Sequence, residues 1–346
     1  MKKLCALLIL VLWATSAQAA RQTLVVYNWS EYIPQEVLTD FTKETGIRVS
    51  YATFESNEAL FAKIKLQRGK GYDVIVPSSY FIDLLREAGL LDAIDKSKIP
   101  NLSNIDPRVM GKPFDPENTY SIPYMWGSAG LVVNKKHIDP ATVTSWKDLL
   151  RPEYKGRVLL SDDLRDTLGI ALKATGHSIN SKSEAEIKEA AEFLQKLYPS
   201  VRVFDVAASK QTFVTEEVHI GMMWNGDSLV AAESNPDLTF IYPQDGAVLW
   251  LDSFAIPKHA ANKEAAHIFI NYMLRPDVAK RCVEAYMYST PNLEAIKLLP
   301  ADLRENRVLL PTEEDLKNSE FLNSVGNALP VYEKYWKELK TGISPR

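Results

Sequence analysis

The stretch Thr23–Phe54, TLVVYNWSEYIPQEVLTDFTKETGIRVSYATF, decides the fold class. TLVVYNW is rich in β-branched and aromatic residues and reads as a strand. In IPQEVLTDFTKETG, Pro34 suits a first helical turn and Gly46 a helix end. IRVSYATF is the next strand. The grammar then repeats. NEALFAKIKLQRG is an amphipathic helix with Leu60, Phe61 and Ile64 on one side. YDVIVPSS is a third strand and YFIDLLREAG a third helix. Three βα units in order predict an open, mostly parallel sheet with helices on both faces. In such sheets ligands bind at the C-terminal ends of the strands. Those ends are YNWSEY and VPSSY, both supplied with aromatics and hydroxyls.

A second run of similar grammar begins near Gly130. GLVVNKK is a strand, SWKDLL a short helix capped by Ser145, and GRVLLSDDLRDTLGIALKATG a strand running into a helix. SEAEIKEAAEFLQKLYP is a long amphipathic helix. EVHIGMMWNGDS reads as a strand ending in a turn, with Trp224 at its tip. LTFIYP and VLWLDSFAIP are two more strands. The helices KEAAHIFINYMLRPDVAKRCVEAY, broken at Pro276, and LPVYEKYWKELKTG close the chain. No segment reads as a flexible linker or a short repeat, so two lobes have to be joined by strands that cross between them.

The N-terminal MKKLCALLILVLWATSAQA has two lysines, an apolar run and a small-residue site, the pattern of a signal peptide over residues 1–19 cleaved after Ala19. The run is shorter than the ~20 residues that span a bilayer, and Cys5 precedes it, unlike a lipid-anchor cysteine. Cleavage leaves 38 Lys+Arg against 44 Asp+Glu, a formal charge of −6. That argues against nucleic acid as a partner and favours a cationic one. Only Cys282 remains, so no intramolecular disulfide is possible; it reads as a small buried apolar group. The mature length suits two domains.

Candidate chemistry gathers at strand ends. Aromatics stand there at Trp29, Tyr32, Tyr80, Trp224, Trp250 and Tyr288, and carboxylates at Asp163, Asp166 and Asp252. Asp162, following a strand, reads most simply as a helix N-cap. Asp163 and Asp166, three apart on one helix face, suit a helix dipole as well as a ligand. Asp252 is different. It shares a strand face with Trp250 inside an apolar run, where an unsatisfied carboxylate costs several kcal/mol. Ring faces attract cations and carboxylates attract ammonium groups. A slot with tryptophan walls and acidic ends therefore suits a linear polyamine. Enzyme signatures fail: there is no Gly-x-Ser-x-Gly, no phosphate-cradling glycine loop and no His-Glu-x-x-His. Paired carboxylates that hydrolyse a substrate are left as a minor alternative. No cofactor or metal is called for.

The motifs YNWSEYIP, FTKETGI, ESNEALFAKI, YDVIVPSSYF, KPFDPENTYSIPYMWG, TSWKDLLRPEYKG, DDLRDT, GMMWNG, LWLDSFAIP, RPDVAK and STPN follow one another through nearly the whole mature chain. In this order they resemble the bacterial periplasmic spermidine/putrescine-binding proteins, the solute-binding subunits of polyamine ABC importers. The resemblance implies an α/β periplasmic binding protein fold. Its two lobes each hold a mixed, mostly parallel sheet flanked by helices, and crossing strands join them. Lobe 1 is expected to hold residues 20–129 and about 253–294, lobe 2 residues 130–252 and about 295–346. It implies that Trp29, Ser30, Tyr32, Ser78 and Tyr80 form one wall, and that Asp163 and Asp166 bind a terminal ammonium from the other lobe. Trp224 and Trp250 would stack along the methylenes with Tyr288 nearby. Asp252 would bind an ammonium, its partner being the ligand and not a protein group. The implied partners are a polyamine and an inner-membrane permease, or a sensor receptor that reads the closed form; a monomer is expected. Three positions depart from the spermidine-preferring pattern. Ser30 replaces a threonine, Asp166 a glutamate, and Leu322 a glutamine that contacts one end of the triamine. The expected preference therefore leans away from spermidine, toward putrescine or toward a different triamine.

Overall fold

The computed structural model describes residues 22–342; the expected signal peptide and its cleavage site lie outside the described residues. β1 (Thr23–Trp29), α1 (Gln35–Thr45), β2 (Arg48–Phe54), α2 (Asn57–Leu66), β3 (Val74–Ile75) and α3 (Ser79–Glu87) follow the sequence-based reading closely. Their strands form a parallel sheet in the order β2-β1-β3. Alternation along β1 divides it between two cores. Leu24 and Val26 pack with Val37 and Phe41 of α1, whereas Tyr27 packs with Leu60 and Ile64 of α2 and Ile82 of α3. Gly46 ends α1 in the left-handed region, at φ 74°, where glycine has no Cβ penalty.

The second sheet is larger. Its strands are β4 (Ile122–Asn134), β5 (Val158–Leu160), β6 (Val201–Phe204), β7 (Ile220–Trp224), β8 (Leu238–Ile241), β9 (Val248–Phe254) and β10 (Glu320–Phe321). The order is β10-β9-β4-β7-β5-β6, with β8 also paired to β4. The pairs of β5 with β6 and β7 are parallel, and β4 runs antiparallel to β7, β8 and β9. Around it lie α4 (Leu164–Thr175), α5 (Glu184–Leu197), α6 (Ser209–Val214), α7 (Asn225–Ser234), α8 (Lys263–Met273), α9 (Pro276–Tyr286), α10 (Leu293–Leu298), α11 (Ala301–Arg304) and α12 (Leu329–Thr341). The break at Pro276 is real, with Pro276 opening α9. Cys282 is fully buried, as its reading as an apolar group requires. Among the described residues no helix is long and apolar enough to cross a membrane.

Three local readings are corrected. β4 starts at Ile122, eight residues before the strand expected from GLVVNKK. Pro123, Gly127 and Ser128 interrupt the β-forming pattern, and the register shift between Pro123 and Met125 accommodates the proline. Trp224 does not end in a turn. Asn225-Gly226-Asp227 opens α7, with Trp224 as its N-cap. The N-cap of α4 is Asp163, which accepts from the backbone N–H groups of Arg165 (2.8 Å) and Asp166 (2.9 Å). Asp162 instead pairs with Lys340 at 2.7 Å.

Two long strands join the sheets. β9 pairs with β4 from Val248 to Phe254. Its far end then exchanges hydrogen bonds with β3, Ile75 N–H to Ala255 O and Ala255 N–H to Ile75 O, both 2.9 Å. The crossing strands expected from the absence of a linker are thus β4 and β9.

The sheet core leaves no room for a side chain at Gly221 on β7, where a Cβ would collide with the Leu159 backbone on β5. Gly221→Ala is expected to cost about 1–3 kcal/mol through this overpacking, read as a lower thermal midpoint. An unchanged midpoint would mean that β5 yields freely.

Candidate functional site

The C-terminal ends of β1 and β3 face those of β5 and β7 across a cleft of about 890 Å³. All eleven residues singled out from sequence line it: Trp29, Ser30, Tyr32, Ser78, Tyr80, Asp163, Asp166, Trp224, Trp250, Asp252 and Tyr288. Leu322 lines it too, and is 3% exposed.

Asp252 sits where β9 leaves the larger sheet for the smaller. Its Oδ1 accepts from Ser78 Oγ and its Oδ2 from Tyr32 OH, each at 2.6 Å. Asn57 in turn holds Ser78, through Asn57 Nδ2–Ser78 Oγ and Ser78 N–Asn57 Oδ1 contacts of 3.0 Å. Tyr124 OH donates to the Tyr32 carbonyl at 2.8 Å. The expectation that Asp252 has no protein partner is therefore corrected. Both hydroxyls come from residues read as one wall of the site, and only the fold brings them to β9. They leave the carboxylate under-satisfied. Asp115, a buried acid remote from the cleft, accepts four hydrogen bonds from Thr119, Tyr120 and Ser121, which fills the capacity of a carboxylate. Asp252 accepts two. Burial pushes its pKa up to about 7, against the opposing pull of the two hydroxyls.

The opposite side is acidic as well. Asp166 is buried and accepts from Trp224 Nε1 at 2.8 Å. Burial and then the neighbouring Asp163 charge push its pKa well above the carboxylate range. Burial raises Asp163 too, against the backbone N–H groups it caps. Glu58, on α2, is raised by burial and by Asp163. Among the described residues none of Asp163, Asp166, Asp252 and Glu58 has an ion-pair partner within 4 Å.

Rings line the space between these acids. Trp224 and Trp250 meet edge to face at 6.4 Å, Trp250 and Tyr288 at 5.3 Å, and Tyr288 lies 5.9 Å from Tyr32. Two glycines seat this wall. A Cβ at Gly127 on β4 would strike the Trp250 indole, and one at Gly226 on α7 would stand 2.5 Å from the Tyr288 ring. The Trp29 and Trp250 indole nitrogens are buried without a hydrogen-bond partner.

Sequence reasoning missed several lining residues. Glu58 and Phe61 had been absorbed into an amphipathic helix, and Asp227 into an apparent turn. Arg165 drew no notice within DDLRDT. It is 1% exposed, with its guanidinium 5.1 Å from the Tyr80 ring and 5.2 Å from that of Tyr332. It donates to Asn323 O, Ile179 O and Asn180 Oδ1. Nine carboxylates line the cleft against two cationic side chains, Arg165 and Lys210, so the field within it favours a cation.

Residues 36–307 match the family described as bacterial extracellular solute-binding protein. The chain is 47% identical over 320 residues to the spermidine/putrescine-binding periplasmic protein of Escherichia coli (strain K12), with 92% of each covered. It is 32% identical over 345 residues to the putrescine-binding periplasmic protein PotF of the same organism, with 94% and 93% covered. The solved structure of the spermidine/putrescine ABC transporter substrate-binding protein PotD from Streptococcus pneumoniae superposes with a TM-score of 0.82. It is 39% identical, with 92% of this chain and 99% of that chain covered.

The Asp252 environment has a consequence for the ligand-free protein. Its folded pKa of about 7 exceeds the unfolded value of 3.8, so the native state holds the extra proton between those values. Stability then falls as pH rises through that window. Asp252 alone is expected to add about 1.4 kcal/mol on going from pH 8 to pH 6, with Asp166 adding in the same direction. His219, whose pKa is lowered by burial, opposes this below about pH 6.5. Thermal melts should show the midpoint rising on acidification and the rise largely lost in Asp252→Asn. An equal rise in the variant would remove Asp252 as its source.

Proposed function

The chain belongs to the bacterial extracellular solute-binding proteins, and on that premise we propose that it binds linear polyamines in the periplasm and delivers them to an ABC importer. The observation that carries this reading is the set of buried, raised-pKa carboxylates with no ion-pair partner within 4 Å among the described residues, separated by a wall of rings. An ammonium satisfies each acid and the methylenes between them lie against Trp224, Trp250 and Tyr288. Asp252 takes one ammonium, with Ser78 and Tyr32 fixing its orientation. Asp163 and Asp166 take another.

The committed state of the two cleft cations argues against a zwitterion such as an amino acid. Arg165 is spent on two carbonyls and Asn180, and Lys210 on Glu31 and Asp227. A ligand carboxylate would be buried without a partner, at a cost of several kcal/mol. Micromolar binding needs about 8 kcal/mol, which two or three ammonium–carboxylate contacts and the stacked indoles supply after ordering costs. No covalent step belongs to this reading.

Release follows from the architecture. The acids stand on both sheets, so the ligand bridges them and favours the closed arrangement by its greater affinity for it. The lobes are proposed to divide near residues 129 and 253, where β4 and β9 cross. Leu322 gives its part of the cleft no side-chain acceptor, which supports a preference leaning away from spermidine. Export through the predicted signal peptide and action as a monomer complete the reading.

Calorimetry on protein stripped of bound material, titrated with putrescine, cadaverine, spermidine and spermine, tests it, with tryptophan fluorescence as a second signal. Asp252→Asn is expected to weaken binding more than tenfold, above about 1.4 kcal/mol. Affinity should also fall as pH drops below about 7, since Asp252 must lose its proton to pair with an ammonium. Normal binding by Asp252→Asn would exclude Asp252 from the site.

A further inference from the structure

Six of the nine cleft acids form three groups, which leave out Glu55, Asp162 and Glu333. Asp163, Asp166 and Glu58 are at one part, Asp252 in the middle of the aromatic wall, and Asp227 with Glu31 beyond Tyr288. Among the described residues, only the third of these groups has a protein ammonium within 4 Å, Asp162 outside them being paired with Lys340. Lys210, near the start of α6, lies 3.2 Å from Asp227 Oδ1 and 2.9 Å from Glu31 Oε2. Asp227, in the first turn of α7, lies near enough to Tyr288 to shift its hydroxyl electrostatically, and Tyr288 packs on both Trp250 and Tyr32. The third group is therefore continuous with the wall that holds Asp252.

Lys210 is well held there. Its side chain is 30% exposed and that of Asp227 14%. Burial disfavours the ammonium, but Asp227 and Glu31 outweigh this and its pKa is raised, so the proton stays on Lys210. Glu31 is more exposed, at 69%, and is the weaker partner. Its backbone adopts φ 50°, a left-handed conformation uncommon for a non-glycine residue, at the start of the turn into α1.

We propose that Lys210 determines ligand length, by occupying the third acidic group with the chain's own ammonium and leaving two groups for the ligand. A diamine satisfies both remaining groups. A triamine bound at the same two places and extended past Tyr288 puts its further ammonium against Lys210 or displaces it from Asp227. The cleft thus selects for two charges through a repulsive element, which contact with the preferred ligand alone does not provide. Lys210 also ties Glu31, which follows β1, to Asp227 on the far side, so it spans the cleft between the two sheets. This inference rests on the polyamine reading of the cleft and names the residue that sets its length selectivity.

The test is calorimetry of putrescine and spermidine on stripped wild-type protein, Lys210→Met, Lys210→Arg and the double variant Lys210→Met/Asp227→Asn. Lys210→Met keeps the apolar stem and removes the charge. It is expected to raise the spermidine-to-putrescine affinity ratio about tenfold. Lys210→Arg should keep the wild-type ratio. The double variant, which removes the exposed acceptor as well, should return the ratio towards wild type and guards against misreading a folding defect. A ratio in Lys210→Met within twofold of wild type, or one that falls, overturns the assignment while leaving the polyamine reading intact. No response of the wild-type protein to any polyamine overturns both.

Discussion

Asp252 sits on β9 where that strand passes from the larger sheet to the smaller, and hydroxyls supplied by the smaller sheet hold both its oxygens. The arrangement fixes the charge at one point relative to both sheets. A crossing strand moves least when lobes rotate about it, so in the proposed reading an ammonium at Asp252 keeps its partner through closure. The acids of α4, Asp163 and Asp166, line the cleft from the larger sheet.

Burying the cleft acids is costly by construction. Two hydroxyls do not replace the hydration that Asp252 loses, and Asp166 has one indole N–H. Burial raises the pKa of both groups, which favours their protonated forms relative to a free carboxyl group. The destabilisation sits at the ligand contacts, as expected of a protein that keeps only the stability its function permits. A buried acid of purely architectural use has a different environment: Asp73 accepts from Val25 N–H, Asn262 N–H and the Asn262 amide, and it anchors a loop.

The aromatic wall contributes order as well as contact. Trp250 and Tyr288 are buried before any ligand arrives, and Gly127 and Gly226 give them the only space in which they fit. Rings already fixed lose little freedom on binding, so more of their contact energy appears as affinity. The pairing of Arg165 with carbonyls and with the rings of Tyr80 and Tyr332 serves the same end, since it places a positive charge behind Asp163 and Asp166 without consuming them.

Much of this was legible in the amino-acid sequence, because periodicity and end signals are local. The βα grammar of residues 23–89, the Gly46 helix stop, the break at Pro276 and the strand-end position of Trp224 needed no tertiary information, whereas Trp250 and Asp252, expected at a strand end, lie inside β9. The order of motifs added the two-lobed fold and the polyamine class. Local signals failed where packing overrode propensity. Pro123 and Gly127 hid the first half of β4, since a bulge absorbs one and the Trp250 ring requires the other. Asn225-Gly226-Asp227 reads as a turn, yet it begins a helix because Tyr288 lies on Gly226. The sequence by itself picked out eleven of the side chains that line the cleft. Only the tertiary structure decided that Ser78 and Tyr32 hold Asp252 and that Lys210 neutralises Asp227. These pairs lie 174, 220 and 17 residues apart, and hydrogen bonds and ion pairs act over a few ångströms of space, whatever the distance along the chain.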